Sequence, residues 1–182
     1  MSCSLDDSTY VGRWPCYSST VFFEDLVRAL DEGHVRYALV GGVAVNLHGI
    51  PRMTYDVDIV VQTDLVTLRG CRIALSALGL SCRLPIVLEM LANADERARL
   101  ETERNLVAVT FTDPTNPLRE VDVLVAPSID PDGIVERSVA RSAGAFEVRI
   151  ASIDDLVRMK RQAARPQDLA DIFHLERLAR ER

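Results

Sequence analysis

The chain has 182 residues, 48% of them hydrophobic and 26% charged, with a mean hydropathy of +0.07 and a formal net charge of -6. That composition is ordinary for a globular chain and excludes a wholly disordered, collagen-like or low-complexity one, and the length suits one compact domain. No apolar run reaches the roughly 18 residues of a membrane span, and Asp6 and Asp7 interrupt the start where a signal peptide would lie, so a soluble cytoplasmic protein with no membrane partner is expected.

Residues 1–19, with Gly12, Pro15 and several serines, carry no period and read as a flexible N-terminal arm; residues 20–182 read as a single domain, with 151–182 as its C-terminal helical part. Phe22, Phe23, Leu26, Val27 and Leu30 repeat at helical spacing, with Ser19 or Thr20 as cap and Gly33 as stop. Tyr37 to Val40 is a short buried strand that ends in Gly41 and Gly42, and a helix of small residues runs from there to His48 and Gly49. Residues 56–61 form the next strand, followed by a helix carrying Leu65, Leu68, Leu75 and Leu78 that stops at Gly79. A charged helix over 95–104 precedes strands at 106–112 and 119–125, which are separated by a turn over 113–117, and 145–150 reads as one more strand. Ser152 with Asp155 has the spacing of a helix cap, and Pro166 suits the first turn of a last helix. The order predicts an α/β (α+β) domain on a small mixed β-sheet flanked by helices.

Four cysteines, Cys3, Cys16, Cys71 and Cys82, include no C-x-x-C pair and read as free thiols. His34, His48 and His174 are scattered without ligand spacing. Residues 151–182 hold seven Lys or Arg against six Asp or Glu, so the acidic excess lies entirely in residues 1–150, and no broad nucleic-acid footprint is expected.

The chemistry rests on carboxylates. Asp56 and Asp58 are two apart on a strand and point to one face. Two like charges so placed need a cation or a proton between them, and an oxygen-only ligand set suits Mg²⁺ or Mn²⁺. A strand mouth open to water is the alternative. Asp122 repeats the setting inside the apolar run Val121 to Val125, and Glu120 alternates onto its face as a spare candidate. Asp130 and Asp132, and Glu101 and Glu103, share the same spacing but read as solvated loop and helix surface. Gly41-Gly42, between strand and helix, reads either as a plain turn or as a place where a phosphate approaches the backbone. Arg52 and Thr54 add a cation and a hydroxyl just before Asp56. Lys160 is the single lysine beside 20 arginines and falls on the apolar stripe of Ile153, Leu156, Val157 and Ala164, either as a functional ammonium or as a snorkelling stem. Asp168 and Asp171 would favour the start of the last helix in any case, and Arg165 is placed to pair with one of them.

Leu39-Val-Gly-Gly-Val-Ala-Val-Asn-Leu-His-Gly49 followed by Arg52-Met-Thr-Tyr-Asp-Val-Asp-Ile59 resembles the signature of the nucleotidyltransferase superfamily whose best-known member is DNA polymerase beta. The Arg-x-Thr-x-Asp-x-Asp form, with a late block of Lys160, Arg165, Asp168 and Asp171, is most similar to the AbiEii/AbiGii-like branch, which includes toxins of toxin-antitoxin systems. The resemblance runs from about Tyr37 to Asp171. It implies the small mixed sheet of the nucleotidyltransferase fold and the metal-dependent transfer of an NMP from an NTP to an acceptor. It further implies that Asp56, Asp58 and Asp122 bind Mg²⁺ or Mn²⁺, with Asp122 also helping to deprotonate the acceptor hydroxyl. Gly41 and Gly42 would hold the triphosphate, while Arg52, Thr54, Lys160 and Arg165 would meet phosphates, and Asp168 would orient Lys160 or act on the acceptor. The usual Gly-Ser of the family is Gly41-Gly42 here, which removes a hydroxyl for which Thr54 is the substitute.

Three readings follow from the resemblance. The leading one is a toxin with an RNA or protein acceptor and a cognate antitoxin as partner. The second is an antibiotic-modifying enzyme with a small-molecule acceptor, and the third a nucleotide-binding or interaction protein without turnover.

Overall fold

The computed structural model describes residues 17–144 and 146–181. Most of the expected N-terminal arm lies outside the described residues, as do Cys3 and Cys16. Cys71 is buried, and both it and Cys82 are free thiols.

Helix α1, Tyr17–Glu32, begins slightly ahead of the expected cap, and its apolar repeat from Phe22 to Leu30 is buried. Strand β1, Tyr37–Leu39, is buried along its whole length and leads through Val40 into α2, Gly41–Leu47. Strand β2, Val57–Val61, is followed by α3, Leu65–Ala77, whose start is capped by the Asp64 carboxylate accepting from the backbone N–H groups of Val66 and Thr67. Beyond it come β3, Ser81–Cys82, a 3₁₀ turn over Leu88–Ala92, α4, Ala94–Arg104, β4, Ala108–Asp113, and β5, Asn116–Leu124. A second 3₁₀ turn, Pro127–Ile129, precedes α5, Pro131–Glu136, and the hairpin of β6, Val139–Ala143, with β7, Phe146–Ile150. The chain closes with α6, Ile153–Ala163, and α7, Pro166–Arg180, which pack on each other.

The seven strands form one mixed sheet in the order β3-β4-β5-β2-β1-β7-β6. Strand β2 is central: it runs antiparallel to β1 and parallel to β5, while β1 in turn runs parallel to β7. The pairing of β2 with β5 is in register at Val57 with Val121 and at Asp58 with Asp122. In-register neighbours point to the same face of a sheet, so this one pairing sets two carboxylates side by side. Helices α1 and α3 pack together, with α3 also against β2, and the core gathers Leu26, Leu30, Leu39, Ile59, Leu68 and Leu75, all fully buried. Among the described residues no helix is long and apolar enough to cross a membrane.

The differences from the expected elements are short or irregular ones. Strand β3 has two residues and α5 six, too few to show a period. Strand β6 is a run of small and charged residues without alternation, recruited as an edge by the hairpin through Gly144 at φ +70. The turn between β4 and β5 is tighter than expected, because the Asp113 carboxylate accepts from the N–H and hydroxyl of Thr115 and lets the strands close at Asn116. Asp130 and Asp132 are not simply solvated. Asp130 caps α5 and pairs with Arg137 at 2.9 Å, and Asp132 accepts from the backbone N and hydroxyl of Thr63 at 2.7 and 2.6 Å, fastening α5 to the exit of β2. Glu103 does lie on the surface of α4, paired with Arg99.

Gly70 lies inside α3, where helix propensity alone favours alanine by about 1 kcal/mol. A Cβ there would stand 2.7 Å from the carbonyl oxygen of Gly33, backbone that cannot rotate away. Overpacking of about 1–3 kcal/mol therefore outweighs propensity, and Gly70→Ala is expected to lower the denaturant midpoint. A midpoint equal to or above wild type would show that the two segments separate freely.

Candidate active site

Asp58 lies on β2, Asp122 on β5 opposite it, and Asp56 one residue ahead of β2. Each offers a carboxylate oxygen within 4.8 Å of the other two. Burial, and then the charges of Asp56 and Asp122, push the Asp58 carboxyl up from 3.8 to about 7, against the opposing pull of Arg165 and Lys160. Three acids thus meet where one already resists ionising. Three oxygen donors with no sulfur or imidazole among them fit a hard divalent cation such as Mg²⁺ or Mn²⁺, and a cation relieves the mutual repulsion that raises Asp58.

The two outer carboxylates are held by threonines. Thr54 Oγ1 donates to Asp56 Oδ1 at 2.8 Å, and Thr110 Oγ1 donates to Asp122 Oδ1 at 2.6 Å across the β4–β5 pair. Glu120, the spare candidate on that face, is engaged by Arg83 at 2.7 Å.

Gly41 and Gly42 are glycines because of what stands beside them. The N–H of Val40 donates to the carbonyl of Asp58, so the chain turns into α2 directly alongside that residue. Gly41 has φ +60, and a Cβ there would lie 1.8 Å from Asp58 Oδ2; a Cβ on Gly42 would lie 2.6 Å from Thr54 Oγ1. The side chain of Thr54 therefore fills the space that a side chain at 42 would take. Asn46, a residue that nothing in the sequence pattern marked, accepts from the backbone N–H of Arg52 at 2.6 Å and donates to its carbonyl at 2.9 Å, which fixes the loop leading to Asp56.

The cations are unequally engaged. Lys160 does not snorkel: its side chain is 8% exposed, and its ammonium donates to Asp168 Oδ1 at 3.3 Å and Asp171 Oδ2 at 2.6 Å. Arg52 Nη1 reaches the same Oδ2 of Asp171 at 2.5 Å. One buried carboxylate oxygen thereby ties the loop before β2 to the helix pair α6–α7. Asp168 has a double role, since its Oδ2 also accepts from the backbone N–H of Arg165 as a helix cap. Asp171 caps nothing. Arg165 pairs through its side chain with neither, and stays exposed at the start of α7 with its charge felt at Asp58. Arg158 and Arg161, neighbours of Lys160 in sequence, line a cleft of about 480 Å³ with Asp154 and Glu176; Arg161 pairs with Glu176 at 2.6 Å and Arg158 with Asp155 at 2.9 Å. Neither Lys160 nor any of the three carboxylates lines that cleft.

The sequence matches no protein-family model and no curated protein. Among solved structures, the chain is similar to the antibiotic-resistance factor ANT(2'')-Ia, with a TM-score of 0.59 and 13% identity over 89% of this chain and 82% of the other. At that identity the likeness shows a shared fold, and it is the small mixed sheet flanked by helices that the nucleotidyltransferase resemblance led us to expect.

The raised Asp58 carboxyl has a stability consequence with a definite sign. An acid whose folded pKa lies above its unfolded value contributes no penalty below about pH 4 and a full one above about pH 7. Without metal, Asp58→Asn is therefore expected to be more stable than wild type at pH 8, by on the order of 4 kcal/mol, with the gain fading as pH falls from 7 towards 4. Thermal melts at pH 8 and pH 4 in chelator measure this, and a gain that is absent at pH 8 or undiminished at pH 4 would contradict the geometry.

Proposed function

We propose that this protein catalyses metal-dependent transfer of a nucleoside monophosphate from an NTP to a hydroxyl acceptor. The observation that carries the reading is the convergence of Asp56, Asp58 and Asp122 at adjacent strands, with no ion pair to any of the three among the described residues. Asp56 and Asp58 would hold a pair of Mg²⁺ or Mn²⁺ ions, and Asp122 would share one of them. Bound there, such ions neutralise the triphosphate and acidify the acceptor hydroxyl. The acceptor oxygen forms a new bond to the α-phosphorus, the bond between the α- and β-phosphates breaks, pyrophosphate leaves, and Asp122 takes the hydroxyl proton. Phosphoryl-type transfer is chiefly positioning and charge neutralisation, which is what the remaining residues supply. Gly41 and Gly42 let the start of α2 press against Asp58 and Thr54, which would set the backbone of that turn beside a triphosphate held at the carboxylates. Arg165, exposed and without an ion pair among the described residues, would meet it first, while Arg52 and Lys160, set by Asp171 and Asp168, would hold it in line.

For the acceptor, a small hydroxylated molecule is favoured over RNA or protein. Arg158 and Arg161, which would guide an RNA strand, are neutralised by carboxylates and line a different cleft. The fold is also shared with an antibiotic-resistance factor. The toxin-type reading, with an RNA or protein acceptor and a cognate antitoxin, is the competitor.

Purified protein incubated with Mg²⁺ and each labelled NTP, with an amino-sugar antibiotic panel in one arm and total RNA or cell extract in the other, separates these readings. Pyrophosphate release with label on a small molecule is the expected result. Label on RNA or protein would transfer the proposal to the toxin class, and NTP binding without pyrophosphate release would end the enzymatic reading. In the active arm, Lys160→Met is expected to keep the fold but melt below wild type, because Asp168 loses its buried cation, and to lose roughly 10²-fold in rate at a temperature where it is folded, the scale of one preorganised electrostatic group.

A further inference from the structure

We propose that Thr110 and Thr54 are positioning residues that set the cation affinity of the three carboxylates. This rests on the metal-binding part of the function proposed above and adds two residues to it, one of which, Thr110, carries no motif in the sequence.

The observation is a matched pair of contacts. Thr110 on β4 stands directly opposite Asp122 on β5 and donates to its Oδ1 at 2.6 Å; Thr54, in the loop before β2, donates to Asp56 Oδ1 at 2.8 Å. Among the described residues no side chain donates a hydrogen bond to Asp58, the carboxylate between them. Each threonine therefore occupies one oxygen of an outer carboxylate and leaves the other for a cation, while Asp58 keeps both of its own.

The residue type suits the task. A β-branched side chain on a strand has restricted χ1, so the hydroxyl is presented from a stiff base. A donor to the free carboxylate oxygen fixes the plane of the ligand before the cation arrives. Partners of this kind change metal affinity about 10–100-fold when removed, although they touch no metal. On the Asp56 side the arrangement depends on Gly42: a Cβ at 42 would stand 2.7 Å from Thr54 Cβ and 2.6 Å from its hydroxyl, so only glycine lets Thr54 reach Asp56. Thr54 is thus assigned to the carboxylate and not to a phosphate, because its single hydroxyl proton is already given to Asp56.

The test is a Mn²⁺ titration of the purified protein, followed by loss of the free-ion electron paramagnetic resonance signal and by thermal shift. Thr110→Val preserves shape and removes the donor; Thr110→Ser restores it. The expected result is a 10–100-fold weaker Mn²⁺ dissociation constant for Thr110→Val, an apo melting temperature close to wild type, and recovery to within about threefold in Thr110→Ser. Thr54→Val, outside the sheet, gives an independent reading should the strand variant fold poorly, and is expected to weaken Mn²⁺ binding in the same range. Wild-type affinity in both valine variants would overturn the assignment while leaving the metal site standing. Absence of Asp58-dependent Mn²⁺ binding in the wild-type protein would overturn the metal site and this assignment with it.

Discussion

The parallel pairing of β2 with β5 sets Asp58 beside Asp122, and the rest of the site answers to the repulsion this creates. Carboxylates this close, in a setting that already disfavours ionisation, are unstable neighbours unless a positive charge comes between them. The fold does not relieve the strain with a nearby arginine, as it does for Asp113 with Arg119 or for Asp155 with Arg137 and Arg158. Lys160 and Arg165 act on Asp58 only through the field, not by contact. Such a group could take up a cation from solution, which is the basis of the proposed function.

The surrounding charges show the same restraint. Lys160 and Arg52 carry two positive charges beside the triad, and Asp168 and Asp171 carry two negative ones that hold them. The group is neutral as a whole, which makes burial of a lysine tolerable. It also joins the helix pair α6–α7 to the loop that delivers Thr54 and Asp56, so the C-terminal helices are tied to the segment that carries the carboxylates. Gly41 and Gly42 complete the same economy of space, since Asp58 and Thr54 occupy the positions where their side chains would be.

The parts of this that were readable in the sequence are those encoded locally. Asp56-x-Asp58 at the head of an apolar strand, Asp122 within another, and Lys160 on the apolar stripe of α6 each announced a charge where burial was due; the structure brings the three carboxylates together, with the charge of Lys160 felt at Asp58. The α1, β1, α2, β2 and α3 succession followed from periodicity and glycine stops in the same way. What escaped depends on tertiary register. Thr110 faces Asp122 only because the β4–β5 ladder shifts between Thr112 and Asp113; the closure of Asp113 on Asn116, continued inward without that irregularity, would have set Val107 there instead. Lys160 and Asp171 stand in one late block of the sequence, 11 residues apart, but the engagement of the same carboxylate by Arg52 spans 119 residues and has no local trace. Asn46 read as one polar residue in a helix of small ones, and its hold on the Arg52 backbone is a matter of where α2 ends in space.

The most direct measurement is a crystal structure of the protein with Mn²⁺ and a non-hydrolysable NTP analogue, with the ions placed by anomalous scattering. Anomalous peaks bounded by Asp56, Asp58 and Asp122, at oxygen distances of roughly 2.0–2.3 Å, with the triphosphate reaching from the Gly41-Gly42 turn towards Arg165, are the predicted result. Peaks absent from the three carboxylates, or a nucleotide bound elsewhere on the chain, would contradict it.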